Sequence, residues 1–188
     1  EKISGGMVWL ILLFSLAMAV AIFFLAPLFL TRLLNIESAI LFNLVDGLIR
    51  AVIFIAYLKL VSLMPDIRRV FAYHGAEHKA VNTYEAGKPL EVEAARQYST
   101  AHVRCGTSFL FVVLIISIVV FSLIGVRMVW LMALSRIVLI PVIAGISYEL
   151  IYLSARHIDN RLVRAMITPG LWLQSLTTRE PDDSQLEV

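Results

Sequence analysis

The stretch MVWLILLFSLAMAVAIFFLAPLFL, from Met7 to Leu30, runs for 24 residues without a charge. A helix rises about 1.5 Å per residue, and about 20 apolar residues cross the hydrocarbon of a bilayer. The stretch therefore reads as a membrane-spanning helix. It is too long for a signal-peptide core and has no evident small-residue cleavage site, so it reads as a retained span. Pro27 lies near its end, where a membrane helix tolerates a kink or a loosened last turn. The whole chain agrees with this reading. Of its 188 residues 60% are hydrophobic, against roughly 45–50% in soluble domains. The chain starts at Glu1 and stops at Val188, and both ends look cut from something longer.

Three further apolar runs follow. Ile40 to Leu63 contains Asp46, Arg50 and Lys59. Asp46 and Arg50 are four apart, share a helix face and can pair; a relay or transport role is the alternative. Lys59 is near enough to the end of the run to snorkel. Thr107 to Val126 is uncharged, and Arg127 marks a very short turn. Val129 to Leu153 carries Arg136, Pro141, Gly145 and Glu149. Between the second and third runs, residues 66–104 form the one substantial polar segment, with six Lys/Arg and five Asp/Glu. Within it, Ile67 to Ala86 reads as a helix, Gly87-Lys88-Pro89 as a turn and Glu91 to Tyr98 as a second short helix. In the tail, Thr168-Pro169-Gly170 reads as a helix break. Leu171 to Leu176 then reads as a short amphipathic piece on the membrane surface or on the polar segment.

The expected architecture is an all-α integral membrane protein of four transmembrane helices. Residues 1–65 hold helices 1 and 2, 66–106 a cytoplasmic helical insertion, 107–153 helices 3 and 4, and 154–188 an interfacial cytoplasmic segment. With four spans the insertion and both termini share a side. That side carries eleven Lys/Arg: Lys2, six in the segment and four in the tail. The other carries Arg32 and Arg127. The positive-inside rule then puts the insertion and both termini in the cytoplasm. A single cysteine excludes an internal disulfide and suits a reducing compartment. Net charge is +2 with no poly-basic run, which argues against nucleic acid. Charged spans favour protein neighbours, so the lipid bilayer and a homo-oligomer are the expected partners.

The chemistry is concentrated in the insertion. Three of the four histidines (His74, His78 and His102) and the lone Cys105 fall in the 32 residues from 74 to 105. His74 and His78, four apart, project from one helix face, a spacing at which two imidazoles grip one metal ion. Glu77 lies beside that face. The order His-x-x-Glu-His is that of inverted zinc proteases, in which the histidines bind zinc and the glutamate takes a proton from metal-bound water. A divalent metal, zinc first among them, is the expected cofactor. Glu85, His102 and Cys105 are further ligand candidates. Three ligands would leave an open, catalytic position; His74, His78, His102 and Cys105 together would close a structural site. Cys105 is alternatively a nucleophile at a helix start beside Arg104, with His102 near, or a packed thiol. Glu149 is a further ligand, the partner of an arginine, or bonded to Tyr152. His157 reads as a surface residue.

The segments RVFAYHGAEHK (Arg69–Lys79), YSTAHVRCGTSF (Tyr98–Phe109), AGISYEL (Ala144–Leu150) and QSLTTREP (Gln174–Pro181) resemble the YqhQ-like family of bacterial integral membrane proteins. The resemblance covers nearly the whole chain. It implies a multi-pass protein of the bacterial inner membrane, in a family commonly labelled a domain of unknown function and a predicted metal-dependent enzyme. Family members are longer at the N-terminus, with a Gly-rich polar stretch ahead of the first span. Two function classes follow: a metal-dependent hydrolase acting on a membrane-proximal peptide or lipid, with Glu77 as base, and a non-enzymatic channel, transporter or assembly factor with a structural metal cluster.

Overall fold

Pro27 has no N–H to offer the carbonyl four residues back, and the first apolar run responds by changing its winding rather than ending. Helix α1 (Gly5–Val20) passes into a π-turn at Ala21–Leu25, where Ala26 N–H bonds the Ala21 carbonyl. The chain then resumes as α2 (Ala26–Leu33), so the run continues beyond Leu30. A wider turn absorbs the missing bond, as π-bulges beside proline do. Residues 5–124 and 128–188 are described in the computed structural model. Lys2, Arg127 and the short turn expected at Arg127 lie outside them.

The remaining elements are α3 (Ala39–Val61), α4 (Pro65–Glu85), α5 (Val92–Ala95), α6 (Gly106–Ile124), α7 (Val129–Arg156), α8 (Arg161–Gln174) and α9 (Asp183–Leu186). The described residues contain no strand. Four stretches are long and apolar enough to cross a membrane: Gly5–Leu33, Ala39–Val61, Gly106–Ile124 and Trp130–Arg156. The polar segment lies between the second and third, as α4, α5 and their loop.

Three local expectations are corrected. The helix expected from Ile67 starts at Pro65, which takes the first helical position, where its missing N–H costs nothing. The helix expected over Glu91–Tyr98 shrinks to four residues and closes in tighter i,i+3 turns, Gln97 N–H to the Ala94 carbonyl and Tyr98 N–H to that of Ala95, and the carbonyls beyond turn to α4. Lys79 Nζ donates to the Arg96 and Tyr98 carbonyls at 3.0 and 2.8 Å, and Asn82 to those of Ser99 and Ala101. The break expected at Thr168-Pro169-Gly170 does not occur: α8 runs through it to Gln174. Gly170 is buried beside Ser108, and Leu173 and Gln174 are fully buried. Full burial of one leucine stabilises by about 1.5–3 kcal/mol, enough to offset much of an internal proline's cost.

The chain divides into two compact units: residues 1–54 with 117–136, and 55–116 with 137–188. In the first, Asp46 takes two arginines. Its Oδ2 accepts from Arg50 and from Arg136, each at 2.7 Å, and all three residues are buried. The expected pair with Arg50 is thus a triad, and the guanidiniums also lie over Phe24 and Phe121 at 5.1 and 5.6 Å. Three of the charges within the apolar runs, Asp46, Arg50 and Arg136, thus pair with one another. Phe23 packs edge-on against Phe54 at 6.1 Å. Gly47 lets α6 approach closely: a Cβ there would stand 2.3 Å from Ile118 Cγ1. The second unit holds the polar segment, α8 and the tail.

Candidate functional site

Helix α4 brings His74 and His78 together as their spacing requires. Their ring centroids are 4.4 Å apart, with His78 buried and His74 half-buried. Each ring is oriented by a backbone carbonyl from elsewhere in the chain. His74 Nδ1 donates to the Thr177 carbonyl at 2.8 Å, and His78 Nδ1 to the Thr100 carbonyl at 2.6 Å. A carbonyl can only accept, so Nδ1 carries the proton on both rings and Nε2 is left to face inward. What it faces is Cys105. The thiol is 5% exposed, and Sγ lies 3.3 Å from His74 Nε2. One ligand atom from each of His74, His78 and Cys105 falls within 4.8 Å of the others.

Cys105 owes its position to α6. Its carbonyl accepts from Phe109 N–H, which makes it the residue that caps the helix. A thiolate at that end is favoured by the exposed N–H groups and the helix dipole. Burial opposes the charged form, but hydrogen bonds from His74, His78 and the Thr107 N–H outweigh it and hold the thiol at about 5. His74 moves the other way: its bond to Cys105 raises it above the ordinary imidazole value, against the opposing effect of burial, with help from the Thr177 carbonyl. The lowered thiol and the raised imidazole are two effects of one hydrogen bond, between Cys105 Sγ and His74 Nε2.

The tail closes the site. Arg179 N–H bonds the Phe71 carbonyl at 2.9 Å as the tail crosses α4. The crossing is so close that a Cβ on Gly75 would lie 2.0 Å from the Arg179 oxygen. Gln174 grips the residue-102 peptide from both ends, accepting from His102 N–H at 2.9 Å and donating to the His102 carbonyl at 3.0 Å. Lys79 is paired to Glu180 at 2.7 Å, and α9 is tied to α5 by Arg96 and Asp183.

The other candidates stand apart from this group. His102 Nε2 lies 3.3 Å from Glu85, which also holds Arg104, and its ring is 5.9 Å from that of His78. The histidine beside Cys105 is therefore His74, not the His102 expected from sequence proximity. Glu77 is exposed and acts on His74 through its charge. Glu149 is exposed on α7, and the Tyr152 hydroxyl expected as one of its partners accepts from Arg156 instead. His157 is exposed, with Nδ1 on the Leu153 carbonyl. Sequence reasoning missed Lys79, Asn82, Gln174 and the Thr100 and Thr177 carbonyls. Gln174 acts 72 residues away from its position in the chain, and a backbone carbonyl carries no residue signature at all.

The family described as "Protein of unknown function (DUF1385)" matches residues 1–188. "Uncharacterized protein YqhQ" of Bacillus subtilis (strain 168) is 39% identical over 173 residues, covering 89% of this chain. The chain spans about half, 53%, of that relative's length. No solved structure matches. The chain belongs to the DUF1385 family.

Proposed function

We propose that this member of the DUF1385 family is a multi-pass membrane protein that holds a divalent metal ion, zinc by its donor chemistry, between His74, His78 and Cys105 at the cytoplasmic end of its third span. The observation that carries the reading is the convergence of three donors whose other hydrogen bonds are already committed. Both Nδ1 atoms are tied to carbonyls, which leaves two Nε2 atoms and a thiolate to share one centre. Histidines that ligate metals are commonly fixed in this way through the second ring nitrogen. Zn–N near 2.0–2.1 Å and Zn–S near 2.3 Å put tetrahedral donors about 3.3–3.6 Å apart, within the span these atoms occupy. A mixed nitrogen and sulfur set suits zinc.

Three protein ligands leave one position open, the pattern of a catalytic rather than a structural zinc. Such an ion, when bound, supplies Lewis-acid polarisation and a water of lowered pKa. Glu77, next to His78 and open to solvent, is the residue assigned to accept a proton in a hydrolytic reaction. Membrane crossing is supported by α1, none of whose residues is buried although it is apolar on every side. The lysine and arginine distribution supports a cytoplasmic polar segment and cytoplasmic termini.

Metal analysis of protein purified in detergent tests the reading. One zinc per chain is expected, retained in Glu77→Gln and lost in His78→Ala and Cys105→Ser. Cobalt substitution should give a thiolate-to-metal charge-transfer band that Cys105→Ser abolishes. Protein that takes up no stoichiometric metal after reconstitution rules the proposal out. A second reading, a closed structural site in a non-enzymatic protein, requires the His102 ring, 5.9 Å from that of His78, to leave Glu85 and join the group. X-ray absorption separates the two: three histidine nitrogens and one sulfur mean the closed site, whereas two nitrogens, one sulfur and one oxygen mean the open one.

A further inference from the structure

Cys105 has two sides. One faces the histidines, and the other lines a cavity of about 250 Å³ with Phe109, Tyr148, Ile151 and Tyr152. A second cavity of about 160 Å³ lies between α6, α7 and α8, walled by residues such as Phe111, Ile115, Ile116 and Met166. Ile151 lines both. The second cavity is apolar and follows α6 from Ser108 to Ile116, about 12 Å of helix. The first has a cationic rim. Arg104 lines it, and Arg156 lies 4.3 Å over the ring of Tyr152, another of its walls. Arg104 shares Glu85 with His102, but among the described residues Arg156 has no carboxylate partner. A charged end and an apolar end, joined at one residue and placed where two span-length helices meet the polar segment, match one class of molecule.

We propose that the two cavities form a single site for an anionic phospholipid. Its headgroup lies at Arg104 and Arg156, one acyl chain follows α6 toward Ile116, and its headgroup–acyl junction is presented to Cys105. The identification of the lipid as the substrate class rests on the metal-centre reading. The binding site stands on the cavities alone. Two arginines at a rim select a negative headgroup, and the hydroxyl of Tyr148 adds a hydrogen-bonding group to the same cavity. The apolar channel accepts a chain already present in the surrounding bilayer, so occupancy costs little desolvation.

The test is native mass spectrometry of the protein taken from nanodiscs of mixed phosphatidylglycerol and phosphatidylcholine, with metal content measured on the same samples. Wild type should retain one phosphatidylglycerol per chain in preference to phosphatidylcholine. Ile151→Trp, which fills the junction of the cavities, should lose the lipid and keep its metal. Arg156→Gln is exposed and keeps the test open if the tryptophan variant fails to fold. It should lower the preference for the anionic lipid roughly fivefold, the factor that about 1 kcal/mol per arginine represents. His78→Ala, at a residue that lines neither cavity, should keep the lipid and lose the metal, which separates failure of this proposal from failure of the metal centre. Equal retention of the two lipids by wild type, no retained lipid, or a preference that Arg156→Gln leaves unchanged would overturn the site.

Discussion

At the scale of single residues the centre rests on a proton shared between Cys105 and His74. The thiol is lowered to about 5, so in metal-free protein its thiolate absorbance should titrate with a midpoint near pH 5. His74→Ala should move that midpoint up by at least about one unit, since hydrogen bonding to the charged form is what favours it. A wild-type midpoint near the ordinary thiol value of about 8.5 would exclude this hydrogen bond. The two residues bear on stability with opposite signs. Cys105 is lowered in the folded state, so its contribution is complete above the ordinary thiol range and is lost as pH falls through about 5. His74 is raised, so its contribution is complete below about 6.5 and is lost as pH rises through its folded value. In the first unit, Asp46→Ala leaves two buried guanidiniums without their carboxylate. It should cost about 3–5 kcal/mol, read as a lowered melting temperature in detergent; an unchanged one would mean the charges reach water. Of these residues, His74, His78 and the Asp46–Arg50 pair were legible from i,i+4 spacing. Arg136 was not recognisable as the third member, because its partner is 90 residues away and periodicity reports only on one helix.

At the scale of elements the tail decides whether α4 holds its histidines in place. Gly75→Ala sets a methyl group against the Arg179 oxygen, which is backbone and cannot swing aside. The tail must lift, and the Thr177 carbonyl leaves His74 with it. The expected result is faster tryptic cleavage after Arg179 and a metal affinity lower by about 10–100-fold, the usual effect of losing a group that orients a ligand. Unchanged proteolysis and affinity would show that the crossing does not support the site. Gln174→Leu removes both bonds to the residue-102 peptide and should destabilise by about 1–3 kcal/mol, seen as increased amide exchange around His102. Elements were legible where the pattern is long. All four apolar runs appear as helices, with shifted ends. The short pieces were misread because side chains from α4 and burial of α8 override local propensity at residues 96–101 and at Pro169.

At the scale of the whole molecule the proposed topology can be checked with cysteines, since replacing Cys105 gives a background free of thiols. In Cys105→Ser, a cysteine at Asn35 should react with an impermeant maleimide added outside intact cells. One at Pro89 should react only after permeabilisation, and the reverse pattern would invert the protein. Composition and apolar run length by themselves determined that the chain is helical, that four of its helices can cross a membrane, and that the polar chemistry is gathered between the second and third. These follow from the balance of apolar and charged residues and from the 1.5 Å rise, both of which are local properties. The i,i+4 spacing also determined that two imidazoles share a face. Only the tertiary structure decided which thiol, carbonyls and amide complete the site, and which cavity reaches Cys105 from the other side. Those partners are brought in from 22 to 103 residues away by the packing of the tail and loop on α4, and such distances leave no periodic trace in a sequence.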